Sequence, residues 1–108
     1  MNARDIEWTK TEKSVARRTF DSAYRRECEV ITKRLSDMIG DIASPEDIWH
    51  LHDFLSEKRT EIDEKYDYRY SVLIFVFARL VKEGWLEESD LNGLHEDKVS
   101  KIIALATM

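Results

Sequence analysis

From Thr9 onward, apolar residues recur at helical spacing. Phe20, Tyr24, Cys28, Ile31, Leu35, Met38 and Ile42 follow one another at steps of four and three, and Thr9 with Glu12 has the form of a capping box. The spacing predicts a first helix of roughly 30 residues. Gly40 loosens its end, and the run Ser44-Pro45-Glu46-Asp47 starts the chain again: an N-cap serine, a proline at the first helical position and two acids at the positive end of the dipole. The second helix is expected from about Pro45 to Tyr66. On a wheel at about 100° per residue, Ile48, Leu51, Leu55, Ile62 and Tyr66 share one sector and are expected to face the core.

The apolar run Val72–Ala78 belongs to a third helix, Ser71 to Glu83, stopped by Gly84. Phe75 and Phe77 fall on different faces, so this helix is expected to be covered nearly all round. The stretch GWLEESDLNGL reads as a turn holding one short helical turn near Glu87 to Leu91. His95, Glu96 and Asp97 then open a last helix reaching Ala106, with Val99, Ile102, Ile103 and Leu105 as its apolar contacts. With three glycines and one proline in 108 residues there is little material for β-hairpins. The fold expected is all-α and single-domain: two long helices within 1–66 and a small C-terminal helical head within 67–108.

A helix of about 30 residues extends about 45 Å at 1.5 Å per residue, longer than the rest of so short a chain can cover. Its seam matches the a and d positions of a coiled coil. A homodimer or higher oligomer is therefore predicted, with Tyr24, Cys28, Ile31 and Leu35 in the interface.

Composition narrows the function. At 43% apolar and 36% charged residues the chain has material for both core and solvated surface. Its one long apolar run is too short to span a bilayer, and the N-terminus lacks the apolar stretch of a secretory signal, so a cytoplasmic protein without membrane insertion is expected. Cys28 is the only cysteine, which excludes an intrachain disulfide and any CxxC metal cage. A net charge of −5 argues against nucleic acid as the partner. The acidity concentrates in residues 44–70, with 4 basic and 8 acidic groups. In the first helix Arg17-Arg18, Arg25-Arg26 and Lys33-Arg34 form a basic rhythm. Asp21, Glu29 and Asp37, four residues beyond the first of each pair, should neutralise it as a solvated face.

The densest cluster of chemistry is WHLHDFLSEKR, Trp49 to Arg59. Arg59, His52, Asp63, Ser56, Trp49 and Asp53 fall in order along one flank of the second helix, from the edge of the core towards solvent. A tryptophan and an arginine at a half-exposed boundary are typical of binding hot spots. Equally, Arg59 with Asp63 could be an ordinary i,i+4 pair and Trp49 could complete a dimer core. Enzymatic readings fare worse. His50 and His52 point about 200° apart and cannot share a metal, no glycine-flanked serine or cysteine offers a nucleophile elbow, and single glycines make no phosphate loop. No catalytic residue, metal site or cofactor is expected.

The stretch IWHLHDFLSEKRTEIDEKYDYRYSVLIFVFARLVKEGWL, Ile48 to Leu86, resembles the signature core of the fluorescence recovery protein family of cyanobacteria. The resemblance continues upstream in Trp8, Phe20 and AYRRE (Ala23 to Glu27), and downstream in KVSKIIALATM. It implies an all-helical homodimer that binds light-activated orange carotenoid protein. Such a dimer would hasten the return to the orange form and help detach that protein from the phycobilisome, restoring antenna fluorescence without making or breaking a covalent bond. By the same resemblance Trp49, His52, Asp53 and Arg59 form the partner-binding cluster, Ile48 supports the dimer, and Phe75 and Lys101 lie on the surface of the head. The site of action would be cytoplasmic, near the thylakoid surface at phycobilisomes. A homologous helical interaction or scaffold dimer acting on another protein client is the alternative.

Overall fold

The computed structural model describes residues 7–108; residues 1–6, part of the stretch scanned for a secretory signal, lie outside the described residues. Thr9 opens the first helix, α1 (Lys10–Gly40), as predicted. Its hydroxyl accepts from the Glu12 N–H and the Glu12 carboxylate accepts from the Thr9 N–H, each at 3.1 Å. α1 runs 31 residues to Gly40, about 46 Å. After the turn at Asp41–Ala43, α2 (Pro45–Lys65) begins with Ser44 at the N-cap. Asp47 closes the cap by accepting from the Ala43 and Ser44 N–H groups at 2.9 and 3.0 Å, which holds its carboxyl below the usual carboxylate range. α2 returns antiparallel to α1: Lys65 meets Glu27, Tyr66 packs on Tyr24, and Phe54 and Lys58 lie beside Val30 and Arg34.

The chain then crosses α1 as a non-helical strap, Tyr66 to Tyr70, in which every second residue is a tyrosine. Successive rings form one ladder along α1. Trp8 stands 5.7 Å from Tyr70, Tyr70 5.6 Å from Tyr68, Tyr68 4.8 Å from Phe20, Phe20 5.3 Å from Tyr66 and Tyr66 5.2 Å from Tyr24, mostly edge to face. The Arg17 guanidinium sits 4.4 Å over the Tyr68 ring. Burial pushes the Tyr68 hydroxyl up to about 12, so the ring stays neutral at ordinary pH.

Beyond the strap lie α3 (Leu73–Lys82), a 3-10 turn (Glu88–Leu91) and α4 (Glu96–Ala106), with His95 at the α4 N-cap accepting from the Asp97 N–H through Nδ1 at 3.2 Å. α3 and α4 pack on each other and on the first half of α1. The core joins Val15, Ala16, Phe20 and Ala23 of α1 to Leu73, Ile74, Phe77 and Leu80 of α3, Leu86, Leu91 and Leu94 of the connection, and Ile102 of α4. Val99, Ile103 and Leu105 pack against it half-buried, so all four expected contacts of the last helix are made. Ala16 and Ala23 lie fully buried, and their small side chains let the α3–α4 pair approach the α1 backbone.

Two expectations of burial need correction. α3 is not covered all round: Phe77 is inaccessible, but Phe75 remains 49% exposed and Arg79 stands in solvent, because no element lies over that side. Of the expected α2 sector, Tyr66 packs against the core at Phe20, but Ile48, Leu51, Leu55 and Ile62 do not face a core in the single chain. Ile48 is 49% and Leu55 38% exposed, and the others are half-buried. No residue from 28 to 64 is buried, because two antiparallel helices alone have no third layer to close against. The molecule is correspondingly elongated, 55 × 26 × 24 Å with a radius of gyration of 16.9 Å, against roughly 13 Å for a compact chain of this length.

The only fully buried residue of α2 is its last, Lys65. Its ammonium donates to both Glu27 carboxylate oxygens at 2.8 and 2.7 Å and to Glu83 at 2.6 Å. The Tyr66 hydroxyl donates to Glu27 at 2.9 Å, and Arg79 and the Trp85 indole donate to Glu83 at 2.8 and 3.2 Å. Burial opposes ionisation of Glu83, but Lys65 and Arg79 outweigh it and hold its carboxyl below the usual range. Two more bridges fasten α1 to the C-terminal part. Arg26 pairs bidentately with Asp90 at 2.9 and 3.0 Å. The buried Glu12 accepts from Lys98 Nζ at 3.0 Å and the His95 N–H at 2.9 Å. Of the three i,i+4 pairs expected along α1, Arg17–Asp21 forms at 3.7 Å among the described residues, Arg25–Glu29 and Lys33–Asp37 do not, and Arg26 turns instead to Asp90.

Candidate functional site: an open ridge on α2

Within the Trp49–Arg59 stretch, α2 displays Trp49, His52, Asp53 and Arg59 to solvent. Trp49 is 60% exposed, an unusual state for the largest apolar side chain. His52 Nδ1 lies 3.5 Å from Asp53 Oδ1 with both side chains about 70% in solvent. About two turns beyond them, Arg59 Nε donates to the Asp63 carboxylate at 3.2 and 3.0 Å, the i,i+4 pair expected from spacing, and its side chain remains 78% exposed. Trp49 and Arg59 stand about 15 Å apart along the helix axis at 1.5 Å per residue, so a single chain presents them as two ends of a ridge rather than as one contact.

Nothing encloses these groups. An acid–base pair needs a substrate held within hydrogen-bond reach and partly shielded from water, whereas His52 and Asp53 sit on a convex face. Among the described residues no three His, Cys, Asp or Glu side chains converge as metal ligands would, and no helix is long and apolar enough to cross a membrane. What the ridge offers is an aromatic surface flanked by acids and one guanidinium, the chemistry of macromolecular contact.

The seam residues occupy the side facing α1. Tyr24, Cys28 and Ile31 of α1 and Leu55, Lys58, Arg59 and Ile62 of α2 line an open groove of about 310 Å³. The groove brings Arg59 into the company of the proposed interface residues, a juxtaposition that the wheel placed only at the edge of the core sector. Beside Cys28 the Tyr24 hydroxyl is held above its usual range. Leu35 is half-buried and Ile48 exposed nearer the tip of the hairpin, outside this groove. In the C-terminal part Phe75 and Lys101 both lie on the surface.

Periodicity did not reveal the charged joint of Lys65, Glu27 and Glu83, because a wheel scores apolar positions and gives a lysine no inward weight. The tyrosine strap did leave a signal: the alternation Tyr66, Asp67, Tyr68, Arg69, Tyr70 has a period of two, which marks extended chain with one aromatic face.

These features define an all-helical protein whose candidate site is an exposed ridge on a two-helix arm. The match to the photoprotection regulator fluorescence recovery protein family covers residues 8–106, and the chain belongs to that family. It is 46% identical over 101 residues to the fluorescence recovery protein of Synechocystis sp. PCC 6803, covering 94% of this chain and 93% of that one. Among solved structures it is similar to the fluorescence recovery protein of Fremyella diplosiphon, with 50% identity and a TM-score of 0.89. It is equally similar in fold to that of Synechocystis, with 46% identity and a TM-score of 0.89. In both cases 94% of this chain and the whole of the other are covered. These relatives bear the name of a regulator rather than of an enzyme.

Proposed function

We propose that this protein is a non-enzymatic, cytoplasmic homodimer that binds light-activated orange carotenoid protein, accelerates its reversion to the orange form and promotes its detachment from the phycobilisome. The observation that carries this is the exposed ridge of Trp49, His52, Asp53 and Arg59 on a chain of this family: large, solvent-facing and chemically able to bind, yet without a cleft for a small substrate.

The dimer rests on the arm. From residue 28 to 64 the chain buries nothing completely, while Val30, Ile39, Ile42, Ile48 and Leu55 lie open to solvent. Exposed aliphatic side chains in such number call for a second copy against the arm, with Tyr24, Cys28, Ile31, Leu35 and Ile48 at the contact. In this reading residues 1–66 supply the long helices of the dimer stalk and residues 67–108 a head that offers Phe75 and Lys101 to the client.

A binder accelerates a partner's conformational relaxation only by favouring an intermediate or transition state over the open ground state; equal affinity for all states would shift nothing. The acidic α2 surface suits a basic and apolar patch on the client, with contacts that weaken as salt rises. The test mixes the protein with photoconverted carotenoid protein in the dark and follows the red-to-orange absorbance change. Faster relaxation is expected, and a rate indistinguishable from that of the carotenoid protein alone removes the proposal.

A further inference from the structure

Another face of α2, turned away from Trp49, carries a second concavity of the reverse electrical character. It measures about 280 Å³ and runs between α1 and α2, lined by Val30, Arg34, Phe54 and Trp85 together with Ile31 and Lys58, which also border the first groove, Ile31 as a residue of the proposed dimer contact. On the α2 wheel, Phe54 stands about 140° from Trp49 and about 100° from Asp53, and Lys58 about 180° and about 140° from them, so a client surface flat against Trp49 and Asp53 does not also fill this groove.

Its walls are apolar and its rim is cationic. Phe54 is half-buried, and the Lys58 ammonium stands 5.8 Å from its ring centroid. Trp85 closes one end, its indole nitrogen already committed to Glu83 at 3.2 Å. Arg34 is exposed and has no carboxylate within 4.0 Å among the described residues. Lys58 shares its charge with the exposed Glu61 at 3.2 Å, a contact that a stronger acceptor can replace at little cost. Glu27 is the one acid in the lining, and its carboxylate is turned inward to Lys65 and Tyr66. On a chain of net charge −5, this groove has a positive rim with no free carboxylate of its own.

We infer that the groove is a second docking site, for an acidic amphipathic peptide segment of a partner protein. An aliphatic or aromatic side chain of the segment lodges between Phe54 and Trp85, and its carboxylates pair with Arg34 and Lys58. Charge complementarity selects this occupant. A basic segment, the kind suited to the ridge, would meet two like charges here, whereas an apolar anchor flanked by Asp or Glu satisfies both floor and rim. Different faces of one helix would then hold two segments of opposite charge at once.

The experiment pans a phage-displayed library of short random peptides against the intact protein, then measures the enriched peptides by fluorescence anisotropy. Expected are sequences with Leu, Phe or Trp beside Asp or Glu. Their affinity should fall about tenfold or more in the double variant Arg34→Glu/Lys58→Glu and in Phe54→Ala, hold in Arg34→Lys/Lys58→Arg, and be indifferent to Trp49→Ala. Circular dichroism checks that each variant is folded. No enrichment, peptides without acids, or peptides that bind the charge-reversed variant equally well each overturn the inference. So does a change in sedimenting mass of the double variant, which would make the groove a contact between copies. The carotenoid relaxation assay is separate, so failure here leaves the ridge reading standing, and the converse.

Discussion

The ammonium of Lys65 lies 2.7 Å from the carboxylate of Glu27, with both side chains nearly inaccessible, and it is this pair rather than an apolar side chain that fixes the end of α2 to α1. The Tyr66 hydroxyl completes the Glu27 oxygens, and Glu83 shares the same ammonium, so every charge in the joint has a partner. A network so closed tolerates its own burial, but it does not tolerate the loss of one member.

Lys65→Met should therefore destabilise the fold by about 3 to 5 kcal/mol, because it leaves Glu27 buried without a countercharge. Adding Glu27→Gln should recover a good part of that loss. Urea unfolding at fixed protein concentration measures both, and additive losses in the double variant would show that the pair does not act as a unit.

Glu12 sets an acid limit. Burial raises its carboxyl, but the N–H groups of His95 and Thr9 and the Lys98 ammonium outweigh that and lower it from 4.5 to about 2. The folded value lies below the ordinary one, so the stabilisation is complete above pH 4.5 and is lost as pH falls through about 2. Its ceiling is about 3 kcal/mol at 1.36 kcal/mol per unit. Against Glu12→Gln, the wild-type chain should hold an advantage of up to this size at pH 7 that shrinks steadily below pH 4.5. An advantage independent of pH would mean that the carboxylate's charge is irrelevant.

Gly93 has a backbone φ of +106°, and a Cβ placed there would come within 2.6 Å of Val15 Cγ2. Gly93→Ala should cost about 2 to 4 kcal/mol, from the left-handed backbone and the overlap together. Val15→Ala in the same chain should relieve only the overlap, which a thermal melt of the two variants separates.

How much of this could be seen in the sequence depends on what holds each part. The helices were legible because caps and apolar steps are local: Thr9 with Glu12, Ser44 with Pro45, Gly84 at the stop of α3 and His95 at the start of α4 all lie where the pattern put them. The side from which each helix is covered was not local. Phe75 and Leu55 follow the same apolar spacing as buried residues, and only the placement of the other elements shows that the described residues leave them uncovered. The ridge was legible because Trp49, His52 and Arg59 are conspicuous together. The joint at Lys65 was not, since its charges come from residues 38 and 18 positions away.

The proposed dimer makes a prediction about order as well as mass. Ile31 lines both grooves on the arm, so Ile31→Asp should place a carboxylate wherever a second copy covers α1. Analytical ultracentrifugation should then give a monomer. Hydrogen exchange should quicken across residues 28–64, which bury nothing completely in one chain, while the core around Phe77 and Ile102 keeps its protection. A variant that retains its mass places the interface elsewhere.

Arg59 separates binding from folding. Its side chain is 78% exposed and its pairing with Asp63 is a solvent-screened i,i+4 contact, so Arg59→Leu should change stability by less than about 0.5 kcal/mol and leave the helical signal intact. Its guanidinium nevertheless borders the groove shared with Tyr24 and Ile62 and stands at one end of the ridge, where a client carboxylate or carbonyl would find up to five donors. Loss of that contact should slow carotenoid relaxation about tenfold or more. Trp49→Ala, at the far end of the same ridge, should do likewise through lost apolar contact, with no change in sedimenting mass. If instead Arg59→Leu dissociates or unfolds the protein while Trp49→Ala leaves relaxation untouched, the guanidinium belongs to the assembly and the ridge is not where the client sits.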